Sequence, residues 1–586
     1  MVVFSAQKIG VPIFITLNFK GGIFLRMTGA EMAVKTMEKN GVKVIFGYPG
    51  AANAALIDRI SYSSIKHILT RNEQGAAHMA SGYGRVTKHT GVCLATSGPG
   101  ATNLITGIAT AYMDSIPMVV LTGQVTTNLV GKDAFQEVDI TGATLPFTKY
   151  SYLVKDVSQI QRVIDEAFYI ASTGRPGPVL IDFPMDILSK EYDYPEKDLP
   201  VNIRGYKIPG KANESQLKKV ADAIKKSKQP VVLAGGGIVI SDAVDEFRKF
   251  INSTDIPVVS TMMGIGNIPC SDPHYFGMIG SHGAKKANMV FNRSDLVIAM
   301  GSRLGDRTVA NAKGLEDANK VIHIDIDPAE IGKNIQPYIP VVGDIKDVLE
   351  QLMPMLKGYK ASEAWLKDVN ELSERFKRVP SSEDNGFVNP RYFLDVLAEK
   401  TNSDIYLTTE VGQNQLWCAT EFNFKHPRLL LTSGGFGTMG YGLPAAIGAS
   451  EAVKDGDAPK KPVVAIAGDG SFQMDLPELG TMCQHDIPVK MVIFENDRLG
   501  MVHEHQYLKY NANYQAVNLD GSPDFCKIAD AYGIKSGRVS ENSRVGDAID
   551  EMMKDDKSFL LVVSVNPNEP TGESLNENKL PKKEAE

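Results

Sequence analysis

Residues 463–502 read "VVAIAGDGSFQMDLPELGTMCQHDIPVKMVIFENDRLGMV". An apolar run, Val463 to Ala467, breaks at Gly468-Asp469-Gly470, and a second, Val489 to Phe494, breaks at Glu495-Asn496-Asp497. A helix-length segment separates them, so the natural reading is two buried parallel strands joined by a crossover. Each strand then ends in a carboxylate or an amide beside a tight turn. Packing alone offers one explanation, with the glycines making the turn and Asn496 capping a strand end. The other is that something charged sits there. Asp469 and Asn496 supply hard oxygens, and a loop carbonyl, for which Arg498 is the candidate, can add another. Mg²⁺ takes such ligands and keeps places for water and phosphate oxygens. A diphosphate would lie on the turn and the following helix start, against Gly468, Gly470 and Ser471. An Asn about 26 residues after the GDG turn, with both at the ends of apolar strands, favours the ligand reading.

The chain has 586 residues, which suits about three domains of ~150–200 residues. Hydrophobic residues make up 43% and charged residues 22%, the balance of a soluble globular protein. A net charge of −7 argues against a nucleic-acid surface. No run reaches the ~18–20 apolar residues of a membrane span. The five cysteines include no CxxC pair and suggest no zinc site; they suit a reduced, cytoplasmic compartment better than a disulfide framework. The apolar stretch "IGVPIFITLNF" is interrupted by Pro12 and Asn18 and lacks a clear cleavage pattern. It reads as a dispensable leader rather than a signal peptide, with organised sequence starting at Met27.

Strand and helix signals alternate from there. "VKVIFGYPG", "GVCLATSGPG", "PMVVLTG" and "GPVLIDFP" are short apolar runs ending in Gly or Pro. The same pattern returns in "PVVLAGGGIVI", "SDLVIAMGSRLGDR" and "KVIHIDIDPAEIG", and again in "DIYLTTEVGQNQ" and the opening stretch. The expectation is an α/β protein of three doubly wound parallel-sheet domains, at residues 27–190, 205–357 and 385–568. A polar, proline-bearing linker from Lys190 to Ser215 and a second, a charged helix with a polar loop from Lys357 to Gly386, would separate them. The charged tail "ENKLPKKEAE" reads as disordered.

The pairing of GDG with Asn496 resembles the diphosphate-binding signature of thiamine diphosphate (ThDP) enzymes. "RNEQGAAHMASGYGR", "TSGPGATN", "DAFQEVDI", "GRPGPVLIDFP", "TSGGFGTMGYGLPAAIGA" and "GDGSFQMDLPEL" extend the resemblance from about Met27 to Val565. Together they are similar to the acetolactate synthase (acetohydroxyacid synthase) family, in its catalytic large subunit. The resemblance implies decarboxylation of pyruvate and joining of the remaining two-carbon unit to a second 2-oxoacid, giving 2-acetolactate; the alternatives are another ThDP-dependent 2-oxoacid decarboxylase or carboligase with a different acceptor, or a non-catalytic homologue. It implies ThDP and Mg²⁺ as cofactors. Glu73 would hydrogen-bond the aminopyrimidine ring, although a carboxylate there could also simply cap a helix. Met439 would bend the cofactor, Gly437 would accept from its amino group, and Gln413 and Asn414 would face the diphosphate. Phe135 and Gln136 would line the reaction pocket, with the Gly50-Ala51 backbone toward substrate oxygens. The first domain of one chain and the third of another would share each cofactor, so a homodimer is the minimum and a tetramer is compatible. A regulatory small subunit is a further possible partner.

In the middle domain, Gly236, Gly237, His282, Gly301, Asp325 and Asp344 resemble an FAD site, with Asp325 and Asp327 suited to ribose hydroxyls. A purely structural α/β unit would use the same loops. Arg303 fits either the FAD or a substrate carboxylate. Two departures from the family pattern bear on the acceptor. Met185 stands where the family has a lysine, and His503 and His505 stand for an arginine and a tryptophan. The polar edge of His505 predicts mainly acetolactate from a mixture of pyruvate and 2-oxobutyrate, because one methylene is worth only ~1–3 kcal/mol even in a fully apolar pocket.

Overall fold

Three six-stranded sheets, each parallel throughout, carry the chain in the computed structural model, which describes residues 15–17, 23–195, 200–377 and 380–572. The strands of the first part are β1 (Ile15–Leu17), β2 (Ile23–Thr28), β3 (Val44–Gly47), β4 (Lys66–Leu69) and β5 (Gly91–Ala95). They continue as β6 (Met118–Gln124), β7 (Tyr150–Leu153), β8 (Pro178–Pro184) and β9 (Glu191–Pro195). The central part supplies β10 (Pro230–Ala234), β11 (Val258–Ser260), β12 (Tyr275–Met278), β13 (Leu296–Met300), β14 (Lys320–Asp325) and β15 (Ile339–Val342). The last part supplies β16 (Tyr406–Thr409), β17 (Leu430–Leu431), β18 (Val463–Gly468), β19 (Lys490–Glu495), β20 (Lys535–Val539) and β21 (Phe559–Ser564).

The first sheet runs β4-β3-β5-β6-β8-β7 and the third β17-β16-β18-β19-β21-β20, so both wind in the same order. The second runs β12-β11-β10-β13-β14-β15. In each, the chain builds outward in one direction and then crosses back. The reversals fall between β3 and β5, between β10 and β13, and between β16 and β18. Loops leave the strand ends there toward opposite faces and open a crevice at the carboxyl edge. Both faces of the middle sheet are covered. Val232 and Ala234 pack into one apolar cluster with Leu217 and Val348, while Val231 and Leu233 pack into another with Val290 and Val369. Burial on both sides explains why these strands read as continuous apolar runs rather than alternating ones.

The described residues form two compact units that do not follow chain order. One takes the residues up to Lys207 together with Gly435–Lys460 and Asp475–Pro488; the other takes Ile208–Gly434, Lys461–Met474 and the residues from Val489 onward. Helix Gly442–Lys454 thus lies with the first sheet, against helix Glu73–Thr87. The contact is made at glycine: a Cβ at Gly82 would lie 2.0 Å from the Ala445 carbonyl oxygen, and one at Gly448 would lie 1.9 Å from that of Met79. Both obstructions are backbone, which a rotamer change cannot relieve. Gly82→Ala is therefore expected to destabilise this unit by about 1–3 kcal/mol or more, the usual range for overpacking. Thermal denaturation checks it; an unchanged midpoint would show that the two helices are free to separate.

Two expectations from sequence need correction. Organised structure does not begin at Met27: β2 pairs antiparallel with β9 from Phe24↔Pro195 to Thr28↔Glu191, and β1 pairs with β2. The stretch read as the first linker accordingly opens within a strand. Pairing between segments so far apart leaves no local periodicity to read, and the exposed Arg26–Glu191 ion pair at 2.7 Å bridges the same separation. The helix expected in the second linker is present, and it belongs to a sheet core rather than to a spacer. Helix Glu363–Arg375 buries Trp365, Val369 and Leu372 in the middle-sheet core, and the Trp365 indole donates to the Pro230 carbonyl at 2.9 Å. The tail read as disordered lies outside the described residues, as does most of the leader.

Candidate active site

Glu73 opens helix Glu73–Thr87, which follows β4 at the carboxyl edge of the first sheet. Its helix start is doubly held. The Asn72 side chain accepts from the Gln74 N–H at 2.8 Å, and the buried Glu478 carboxylate accepts from the N–H groups of Arg71 (3.1 Å) and Asn72 (3.0 Å). Burial raises the Glu478 pKa against these hydrogen bonds and one from Thr481. Glu73 itself is 9% exposed, and its Oε2 accepts from Asn103 Nδ2 at 2.9 Å. Capping of the helix thus falls to Asn72, and Glu73 is left to face elsewhere.

The turn after β5 draws the remaining candidates of this unit together. A Cβ at Gly50 would lie 2.4 Å from Thr96 Cβ; one at Gly98 would lie 2.8 Å from the Gln136 carbonyl oxygen; one at Gly100 would lie 3.2 Å from Glu73 Oε1. Gly98 has φ +56°, where glycine alone is unstrained. Gly50 and Ala51 after β3, Gln136 on its loop, and Glu73 therefore converge on the reversal between β3 and β5. Phe135 is 87% exposed, a large apolar ring left uncovered at the loop tip. Gly437, at φ +72°, and the half-buried Met439 lie on a segment of the same unit. That segment is pinned where the Gly435 N–H donates to Asp114 (2.7 Å) and Thr438 shares a hydrogen bond with Thr110 (2.7 Å).

In the second unit, Asp469 follows β18 and is 1% exposed. Its carboxylate accepts from the N–H groups of Gly470 (2.8 Å), Asn496 (3.0 Å) and Asp497 (2.6 Å). Burial pushes its pKa up to about 6; those N–H donors oppose the shift, and the Asp497 charge adds to it. Ser471 is buried and exchanges hydrogen bonds with the Gly468 backbone at 3.2 Å. Gly470 is also required by packing, since a Cβ there would lie 2.7 Å from Leu499. Gln413, across the reversal after β16, accepts from Asn496 Nδ2 at 3.4 Å. Asn414 is 4% exposed, and its buried Oδ1 has no hydrogen-bond partner among the described residues; its amide nitrogen lies 3.4 Å from where a Gly468 Cβ would be. Asn496 Oδ1 accepts from the Arg498 N–H at 3.1 Å, so Asn496 and Arg498 share the turn after β19, which the Asn496 N–H ties to the Asp469 carboxylate after β18. A buried carboxylate held by N–H donors, an amide oxygen beside it and an unpartnered polar atom at the glycine turn make an oxygen-rich set. It fits a small hard cation and a phosphate group.

Around the reversal between β10 and β13, much of the glycine pattern is explained by backbone packing. A Cβ at Gly235 would lie 2.0 Å from the Gly301 carbonyl oxygen and one at Gly237 would lie 2.6 Å from Gly301 Cα, while Gly236 faces Met263 at 3.0 Å. These glycines do not by themselves report a ligand. Two buried polar atoms near them, Asn267 Oδ1 and His323 Nδ1, have no hydrogen-bond partner among the described residues, although Asn267 Nδ2 donates to the Gly235 carbonyl at 2.9 Å and His323 Nε2 pairs with the Ser302 carbonyl at 2.9 Å. Asp325 is buried, accepting the Asp327 N–H at 2.9 Å; Asp344 caps helix Ile345–Met355 through the Lys346 N–H at 2.9 Å, with burial raising its pKa. Arg303 receives a hydrogen bond from Asn334 at its carbonyl, 2.7 Å. His282 lines a cavity of about 350 Å³ together with Lys286, Lys377, Glu421 and Thr571. A larger cavity of about 530 Å³ opens at the amino ends of β3 and β5, beside Lys39, Lys88 and His89, and holds none of the candidate residues.

Three residues that the sequence reading passed over prove to hold candidates in place. Asn103 and Glu478 lie inside the motifs "GPGATN" and "LPEL", so their types were visible although their partners were not. Glu504, within "GMVHEHQ", accepts from Gln413 Nε2 and from the Thr571 N–H, both at 3.0 Å. Its neighbours are differently placed. His503 is buried, stacked on Tyr514 with centroids 3.9 Å apart, and shares a hydrogen bond with Arg498 at 2.9 Å, whereas His505 is exposed beside Tyr510.

Family models match along the chain in the same order as the three sheets. A thiamine pyrophosphate enzyme N-terminal TPP binding domain matches residues 27–143, a central domain matches 217–352, and a C-terminal TPP binding domain matches 410–563. Similar proteins include a probable acetolactate synthase large subunit of Methanocaldococcus jannaschii, 44% identical over 93% of this chain and 93% of its own length. The acetolactate synthase large subunit of Haemophilus influenzae is 39% identical over 93% of this chain and 95% of its own. That of Lactococcus lactis is 41% identical over 92% and 93%.

Proposed function

Since this chain belongs to the acetolactate synthase large subunits among the thiamine pyrophosphate enzymes, we propose that it decarboxylates pyruvate and condenses the two-carbon remainder with a second 2-oxoacid, giving 2-acetolactate and CO₂. The observation that carries the reading is Glu73. It is a buried carboxylate, relieved of capping its own helix and steadied by Asn103, at the crevice where Gly50, Gly98 and Gln136 meet. ThDP, when bound, supplies the nucleophilic carbon and the electron sink. The chain's residues place it and exclude water. Glu73 would hold a proton at the ring nitrogen, in a site where burial keeps that proton from solvent. Asp469 and Asn496, with the carbonyl at Arg498, would hold Mg²⁺; Gln413, Asn414, Gly468, Gly470 and Ser471 would face the diphosphate; Met439 and Gly437 would set the cofactor's bend. Phe135 and Gln136 would close over substrate.

FAD would occupy the middle sheet's crevice, between Gly236-Gly237 and Gly301-Arg303, with Asp325, Asp344 and His282 toward it. The unpartnered Asn267 and His323 atoms support that reading. The chain would act in the cytoplasm as a homodimer or tetramer, and the name "large subunit" borne by its relatives supports a small regulatory partner. Among the described residues no helix is long and apolar enough to cross a membrane.

Product analysis tests the reading. With ThDP and Mg²⁺, purified protein is expected to convert pyruvate to acetolactate, and a pyruvate/2-oxobutyrate mixture mainly to acetolactate. Formation of CO₂ with no acetolactate would sink the condensation, and a strong preference for 2-oxobutyrate would sink the argument from His505. Flavin absorbance on titration decides the FAD site: saturating FAD without a spectral change would leave the middle domain structural.

A further inference from the structure

The loop from Val125 to Asp139 carries Phe135 and Gln136, and it is tied to the sheet by a chain of polar contacts that packing does not require. Asp182, on β8, sits beside Thr122 of β6 in the parallel register and is 1% exposed. It accepts from the Thr122 hydroxyl at 2.7 Å and from Gln124 Nε2 at 3.0 Å. Gln124 is also buried. The same Nε2 donates to the Val138 carbonyl at 2.8 Å, and its Oε1 accepts the Val125 N–H at 2.9 Å. One amide therefore grips both ends of the loop, and Asp182 fixes which way that amide points. Four residues on, Asp186 accepts from the Thr127 N–H at 2.9 Å and its hydroxyl at 2.6 Å. The middle of the loop is bonded to itself, Leu129 to Thr126 and Gly131 to the Glu137 side chain.

We infer that Asp182 and Asp186 are positioning residues for the substrate loop, acting through Gln124 and Thr127 to set Gln136 against Gly98 and so against Glu73. Gln136 is held at φ +56°, a costly backbone for a non-glycine residue, with its Cα 2.9 Å from where a Gly98 Cβ would be. Little slack remains between the strap and the catalytic crevice. Burial raises the Asp182 pKa to about 7, opposed by the Thr122 and Gln124 hydrogen bonds and assisted by the charges of Asp139 and Glu137. A group so unfavourably placed is poorly explained as filler.

The role in catalysis rests on the acetolactate reading, whereas the strap itself does not, and the test separates them. Asp182→Asn keeps the volume but exchanges a carboxylate that accepts twice for a neutral amide: its oxygen can serve Gln124 only if the Thr122 hydroxyl turns to accept its NH₂, and both hydrogen bonds lose their charge assistance. Thr122→Val removes the other hydrogen bond to Asp182 and leaves Gln124 alone. Asp186→Ala changes an exposed residue and keeps the test alive if Asp182→Asn fails to fold. Lys132 is exposed within the loop and offers a tryptic site. Trypsin cleavage after Lys132 is expected to be about tenfold faster in Asp182→Asn and Asp186→Ala, because cutting follows local opening. KM for pyruvate should rise about tenfold, with kcat and ThDP affinity held within about threefold, the pattern of lost ground-state placement. Thr122→Val should resemble wild type in both readouts. Equal effects from Thr122→Val and Asp182→Asn would reduce Asp182 to a structural role, and unchanged cleavage would remove the strap. Faster cleavage with unchanged KM would remove the link to substrate. A wild-type protein that makes no acetolactate would overturn the acetolactate reading, while the cleavage rates still decide the strap.

Discussion

Glu73→Gln is expected to lower turnover by about 10²–10⁴-fold while leaving ThDP bound, the usual loss when a positioned proton-transfer group is removed. The substitution is close to isosteric, and its local partners tolerate it. Asn72 and Glu478 cap the helix without help from Glu73, and a glutamine oxygen can still accept from Asn103. What an amide cannot do is share a proton with a ring nitrogen. Folding measured by thermal denaturation should therefore match wild type, and a ThDP titration should shift little. Retained turnover would show that Glu73 is only a buried helix-start residue. Glu478→Gln makes a useful companion, because it weakens the grip on Arg71 and Asn72 without touching the reacting group.

The second large effect is at Asp469. Asp469→Ala should abolish measurable binding of Mg²⁺ and weaken ThDP by at least about 100-fold, because a buried charge-assisted set loses its only carboxylate. pH gives an independent reading of the same group. In the cation-free protein its pKa is raised from the ordinary 3.8 to about 6, with burial as the main cause. A raised carboxyl pKa stabilises the fold most at low pH, and that contribution is lost as pH rises through about 6. Cation binding requires the ionised form, so affinity should fall about tenfold per pH unit below about 6, with one proton released per ion bound. Isothermal titration at two pH values measures both. Full ThDP binding in the presence of a chelator would refute the metal bridge.

Much of this was legible in the residues. Runs such as Val463–Ala467 read most naturally as buried parallel strands, because apolar residues in succession need cover on both faces, and the Gly468 that ends this run marks a turn. The spacing from Gly468-Asp469-Gly470 to Asn496 pointed to two oxygen-bearing side chains at neighbouring strand ends, and β18 and β19 are adjacent and in register from Val464↔Lys490 to Gly468↔Phe494. The small residues after Glu73 marked a helix that could pack closely on every side, whereas a role for Glu73 beyond capping came only from the family resemblance.

Other features were decided by tertiary contact. No local signal says that Gly82 and Gly448 meet, that Glu478 caps the turn before Glu73, or that Gln413 touches both Asn496 and Glu504. Each pairing joins segments tens to hundreds of residues apart, through helix packing at Gly82 and Gly448 and through loops at strand ends for Gln413 and Asn496. The glycines at 235, 237 and 301 show the limit most plainly. A glycine needed for a phosphate and a glycine needed for a crossing backbone are the same letter, and only the fold shows that a Cβ at these positions would lie 2.0–2.6 Å from facing backbone. Residue type and spacing determined the strands, their ends and the chemistry available there. Which groups converge was set by long-range packing, because close approach depends on the shape of both partners and each sequence segment encodes only one.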